Sequence, residues 1–195
     1  LISLIYGKED FMIKAICSKK IIKDMVYYSY VEDIINDENV QRLAEYKHHH
    51  YTTRLQHCIN VSYYTYLICR KWGIDERSGA RAGMLHDLFF YNRREYIRKA
   101  GEAFHNSRHP KMALENASKI FDINPIERDI ILKHMWPCTL ALPKYKETVA
   151  IIIADKYCAL SETKEYIIKK RRIRKAYIIS CLISEALMNA TVIFE

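Results

Sequence analysis

Chain breakers are scarce in this sequence: five Gly and four Pro in 195 residues. A β-sandwich or barrel needs a turn every ~8–12 residues, so the count argues against both. It favours long helices joined by short connections, and the fold class expected is all-α. Hydrophobic residues make up 50% and charged residues 28%, which is enough apolar material for a core and argues against disorder. At this length one domain is the better expectation than two, so residues 1–195 are read as a single domain.

Helix punctuation gives the order of elements. Met25–Asn36 reads as a helix with Val26, Tyr30, Ile34 and Asp33 near one face. A long helix follows the His48–His50 triplet, running over about Leu55–Trp72, and Gly73 ends it. Asp75 caps a helix that reaches about Asp87. His109-Pro110 marks a helix start, because Pro suits the first helical position. Asn124-Pro125-Ile126-Glu127 has the spacing of a capping box, and its helix ends at His134–Trp136. A buried helix covers about Glu147–Ser161, and an apolar helix over Ile178–Met188 follows the basic stretch Lys169–Lys175.

Charge and cysteine usage narrow the function classes without choosing one. The formal net charge of +8 attracts anions in general. No Cys pair is spaced C-x-x-C, so neither a zinc knuckle nor a thioredoxin-type site is indicated. Buried free thiols are expected, which fits a reducing, cytoplasmic setting. Leu1–Lys20 has no clean apolar core, so no signal peptide is expected. The longest clearly apolar run, Val149–Ala154, is too short to span a bilayer, so no membrane partner is expected. The basic stretch alternates with Ile167, Ile168 and Ile173 and reads as a solvated helix face; no nucleic-acid motif accompanies it.

Several metal-competent side chains sit in apolar helical surroundings. His57 lies in the first turn of the long helix, His86-Asp87 closes the run Ala82–Leu85, and Asp155 follows Ala150–Ala154 directly. A buried carboxylate needs a paired charge or a metal. The order His57, His86-Asp87, Asp155 resembles the signature of the HD superfamily of metal-dependent phosphohydrolases. The local words Arg54–Cys58, Gly83–Asp87 and Ile153–Lys156 match as well, and the resemblance covers about residues 50–160. His109 and His134 fall between Asp87 and Asp155, which makes the pattern similar to the dinuclear branch of that superfamily.

The resemblance implies a compact HD-domain helical bundle. Its metal-binding core would be residues 50–160, with an extra N-terminal helix and a C-terminal helical extension over 161–195. It implies two divalent transition-metal ions, from among Fe, Mn, Ni, Co and Zn. One would take His57, His86, Asp87 and Asp155; the other would take His109 and His134, with Asp87 bridging. The activity implied is hydrolysis of a phosphomonoester or phosphoanhydride, in a small phosphorylated substrate such as a nucleotide, by a metal-activated bridging hydroxide. Asp87 and Lys156 are the catalytic candidates. Lys156, Arg54, His105 and Arg108 are candidates for binding substrate oxygens, and His105 lies close enough in sequence to stand in for His109. The same ligands serve a di-iron oxygenase elsewhere in the superfamily, and a non-catalytic, metal-stabilised binding module is the third reading. The apolar C-terminal helix either closes the core or forms a homodimer face.

Overall fold

The computed structural model describes residues 13–15, 20–22, 24–48, 52–93, 95–97 and 100–193. A short antiparallel hairpin, β1 (Ile13–Ala15) and β2 (Lys20–Ile22), precedes the helices. The helices are α1 (Met25–Ile35), α2 (Glu38–Gln41), a 3-10 turn (Arg42–Glu45), α3 (Arg54–Trp72), α4 (Glu76–Leu85), α5 (His105–Ile120), α6 (Pro125–Lys133) and α7 (Lys146–Ile193). The fold is all-α, as the scarcity of breakers predicts.

The helix ends follow from local chemistry. Asp24, Asp37, Thr53, Asp75 and Asn124 each accept backbone N–H groups at a helix start, which satisfies donors the helix itself leaves bare. At Asn124 the reciprocal capping box forms with Glu127. Gly73 closes α3 at φ 66°, a left-handed conformation that costs a residue with a Cβ. Loop and helix are also tied at a distance: the Asp75 N–H donates to Glu147 at the start of α7, 3.0 Å away.

The centre of the bundle is the crossing of α3 and α4. A Cβ placed on Gly83 would lie 2.5 Å from the Ser62 Cα, and one on Gly79 would lie 2.8 Å from the Cys69 Sγ. The two helices therefore touch backbone to backbone. Ser62 fills the contact by donating to the Ala80 carbonyl at 2.7 Å and accepting from the Tyr27 hydroxyl at 2.9 Å, so α1 joins the same point. Arg81 adds a second link, bidentate to Asp33 of α1 and 3.2 Å from Glu127 of α6. Val31, Ile34, Leu43, Met84, Leu85, Ile130, Ile131 and Ile151 fill the core around this crossing.

Four expectations need correction. The buried face of α1 is Tyr27, Val31 and Ile34 with Ile35, while Val26 is exposed and Asp33 pairs with Arg81. Both faces of that helix carry apolar residues, so periodicity alone could not choose, and Tyr27 with its hydroxyl partner Ser62 decides. Helix α4 ends at Leu85, with His86 at its C-cap and Asp87 beyond it. Helix α5 begins at His105, not at His109-Pro110, and Pro110 lies inside it. The Phe104 carbonyl accepts from the Ser107 and Arg108 N–H groups and builds the turn ahead of the proline. Pro110 removes only its own donor to that ladder. Finally, α7 runs unbroken from Lys146 to Ile193 instead of splitting in two; no Gly or Pro occurs after Pro143. Residues 169–175 are exposed along it, as expected of a solvated face. The side chains of 181–188, within the predicted apolar helix, lie outside the described residues.

The tight crossing predicts the effect of Gly83→Ala. The added methyl meets backbone that cannot move without parting α3 from α4, and overpacking of this kind costs about 1–3 kcal/mol. Thermal or urea denaturation should show a lowered midpoint, and an unchanged midpoint would contradict the close approach.

Candidate metal centre

Five helix segments bring their ends or inner faces to one place. Thr53 caps α3 and sets His57 in its first turn. His86 and His134 are the C-caps of α4 and α6, where the chain leaves the helix and the side chain turns inward. His109 comes from the second turn of α5, and Asp155 from the third turn of α7. His57, His86, Asp87, His109 and His134 are all buried.

The histidine tautomers follow from their outer partners. His86 Nδ1 lies 2.8 Å from the Gly83 carbonyl, His109 Nδ1 2.8 Å from the His105 carbonyl, and His134 Nδ1 2.8 Å from the Ile131 carbonyl. A carbonyl only accepts, so each Nδ1 carries the proton and each ring turns its Nε2 inward, as a bare lone pair in the neutral form. His109 Nε2 and His134 Nε2 then face each other at 2.9 Å. Two lone pairs at that distance repel unless a cation or proton sits beside them. Burial, followed by the charges of His86 and His109, pushes the His134 pKa down to about 3, so a proton is disfavoured there.

Asp87 is the anion at the middle. Its Oδ1 lies 3.4 Å from His109 Nε2 and 3.8 Å from His134 Nε2; its Oδ2 lies 3.7 Å from His48 Nδ1 and 4.0 Å from His86 Nε2. Oδ1 is buried with no hydrogen-bond partner among the described residues, a costly state for a carboxylate oxygen. Burial raises its pKa, yet the surrounding His86, His109, His48 and His134 hold it well below the usual carboxylate range. An orphaned anionic oxygen facing inward lone pairs fits a bound cation.

The other side of the site is built around His57. Its Nε2 lies 3.1 Å from Asp155 Oδ1, and its Nδ1 lies 3.1 and 3.2 Å from the two Glu162 oxygens. Glu162 is itself held by Asn60 at 2.9 Å, and Asn60 by Gln56 at 3.0 Å. Burial lowers the His57 pKa, but hydrogen bonds to Asp155 and Glu162 outweigh it and raise it to about 10. A proton on Nε2 therefore bridges to Asp155 wherever a metal does not. Among the described residues, three groups have donor atoms all within 4.8 Å of one another: His48, His57 and Asp87; His57, His86 and Asp155; His86, Asp87 and His134. They overlap in His57, His86 and Asp87, so they form one centre.

A sequence-family comparison matches the HD domain over residues 54–160, more than half of the chain. The chain belongs to the HD-domain family. No curated protein and no solved structure matched it. HD domains bind divalent metals and are typical of metal-dependent phosphohydrolases, and the orphaned Asp87 oxygen and inward imidazoles of this HD domain suit such an ion.

The substrate candidates are placed differently from one another. Lys156 is exposed, next to Asp155 in the chain, with its Nζ 3.3 Å from the Trp136 carbonyl. Arg54 is fully buried: it donates to the carbonyls of Phe89 and Tyr91, and its guanidinium lies 3.6 Å over the Phe89 ring. It ties the turn after Asp87 to α3. His105 bonds to the Tyr91 hydroxyl at 2.8 Å and stacks on His109 at 4.4 Å, so His109, not His105, meets Asp87. Burial, then the neighbouring His109 and Arg93, lowers the His105 pKa to about 4. Arg108 pairs with Glu102 at 3.1 Å.

Two residues of the centre escape a reading by motif. His48 belongs to the triplet that precedes α3, and it stacks on His57 at 4.0 Å and faces Asp87; His49 and His50 lie outside the described residues. Glu162 carried a legible signal, because seven residues after Asp155 is two turns along the same helix face.

Glu162→Gln keeps the shape of that side chain and removes its charge from His57. Outer partners of this kind are worth about 10–100-fold in metal affinity. Competition against a chelator should show a loss in that range with the helical circular dichroism kept. Unaltered affinity would mean Glu162 only fills space.

Proposed function

We propose that this HD domain is a dinuclear metal-dependent phosphohydrolase of the cytoplasm, cleaving a phosphomonoester or phosphoanhydride in a small substrate of nucleotide type. The observation that carries the reading is Asp87, whose two oxygens face opposite ligand groups: Oδ1 towards His109 and His134, Oδ2 towards His86 and His48. A carboxylate so placed suits a bridge between one cation held with His57, His86 and Asp155 and another held with His109 and His134. Two such cations, when bound, make water nucleophilic at neutral pH and offset the charge that gathers on the phosphoryl oxygens.

The chain's own groups support hydrolysis without a covalent intermediate. Cys58 is the thiol next to His57, but burial pushes its pKa well above the ordinary value, so it is no nucleophile. Lys156, next to Asp155 in the chain, would meet a non-bridging phosphoryl oxygen as a mobile point charge on leaving the Trp136 carbonyl. Arg54 acts indirectly, by fixing the carbonyls of Phe89 and Tyr91 just after Asp87. The buried free cysteines Cys58, Cys69 and Cys158 support a reducing compartment.

Protein purified without a chelator or metal-binding tag should hold two transition-metal ions per chain by elemental mass spectrometry and release phosphate from nucleotides. Asp87→Ala should lose both ions, His134→Ala mainly one, and both should lose hydrolysis. Two ions and full activity in both variants would defeat the assignment. Bound iron with oxygen uptake and no phosphate release would instead favour the di-iron oxygenase.

A further inference from the structure

His48 reaches the centre from outside the family match at 54–160 and from outside every described helix. Its Nδ1 lies 3.7 Å from Asp87 Oδ2, nearer than His86 Nε2 at 4.0 Å. One donor atom from each of His48, His57 and Asp87 lies within 4.8 Å of the other two, the same proximity that joins His57, His86 and Asp155.

The chain around His48 is held in register with α3. The His48 N–H donates to the Thr52 carbonyl at 2.9 Å, and the Arg54 N–H donates to the Tyr46 carbonyl at 2.8 Å. Arg54 adds a second hold. Its guanidinium lies 5.0 Å over the Tyr46 ring while it donates to the carbonyls of Phe89 and Tyr91. One side chain thus fixes the backbone beside His48 and the turn beyond Asp87 relative to each other. The His48 ring stacks on His57 with centroids 4.0 Å apart and planes 26° from parallel. The His48 side chain is 19% exposed and that of His57 fully buried, so His48 lies on the solvent side of its neighbour.

A direct hydrogen bond does not explain the approach, because 3.7 Å is too long for one. Two donor atoms turned towards each other just beyond that reach suit an ion shared between them. Imidazole also matches the rest of the donor set in the ions it prefers. We propose that His48 is a further metal ligand, to the ion held with His57, His86, Asp87 and Asp155. This rests on the two-metal reading and makes the two sites unequal. His48, His57, His86, Asp87 and Asp155 face one ion, whereas His109, His134 and Asp87 face the other. A site crowded with protein donors is nearly closed and holds its ion tightly. A site with few keeps positions for water and a phosphoryl oxygen.

Zinc competed from the full chain with a chromophoric chelator tests the assignment. The unmodified chain should release its ions in two separate steps. His48→Phe keeps a ring to stack on His57 and removes the donor nitrogen. It should weaken the tighter ion by about 100-fold, the upper end of what an outer partner is worth, and leave the other ion as it was. His48→Ala, which introduces no bulk, should show the same loss if the larger ring prevents folding; circular dichroism checks both variants. A tighter ion kept within about tenfold of its affinity, the lower end of that range, overturns the proposal, as does an equal loss at both ions. Two ions that ignore both variants remove His48 and keep the two-metal reading. One ion per chain that His48→Phe still weakens keeps His48 as a ligand and defeats the two-metal reading.

Discussion

A carboxylate buried among four imidazoles is the constraint on which this structure turns. Asp87 is 4% exposed and faces His48, His86, His109 and His134. Taking a carboxylate out of water costs several kcal/mol even after relaxation, and Asp87 Oδ1 has no hydrogen-bond partner among the described residues to offset it. A divalent cation answers both problems: it satisfies the orphaned Oδ1 and separates lone pairs that otherwise meet at 2.9 Å. The geometry of the protein alone is thus strained in the direction that metal binding relieves.

The bundle exists to hold those side chains at that spacing. Gly83 lets α4 rest on α3 at Ser62, and the helix then ends at Leu85, so that His86 and Asp87 leave it at the site. Arg54 holds the next turn by the carbonyls of Phe89 and Tyr91. Each ligand histidine has its outer nitrogen fixed, three by carbonyls within one turn of their own helix and His57 by Glu162. Local helix geometry therefore sets three tautomers, and only the fourth depends on a long-range partner.

What the sequence made legible follows the same division. Residues embedded in strong helical patterns, such as His57, His86-Asp87 and Asp155, could be singled out because a polar group in an apolar helix demands a reason. The capping box at Asn124 and the Gly73 stop are local chemistry and are found where expected. The start of α5 was not legible, because Pro110 looks like a first-turn residue and the Phe104 carbonyl that extends the helix leaves no mark in composition. His48 was hidden for a different reason: it reaches the site from outside the helices, next to the Lys47–Thr53 bridge. Periodicity carries no information about such a segment. The long α7 shows the opposite error, where a change of surface chemistry from basic to apolar suggested a break that no Gly or Pro supplies.

The central claim is that Asp87 stands between two cations. Crystals grown with manganese and measured near its absorption edge would test it directly through anomalous difference density. Two peaks about 3.5–4 Å apart, one beside His57, His86 and Asp155 and the other beside His109 and His134, with Asp87 between them, are the expected result. A single peak, or two that do not share Asp87, would contradict the account.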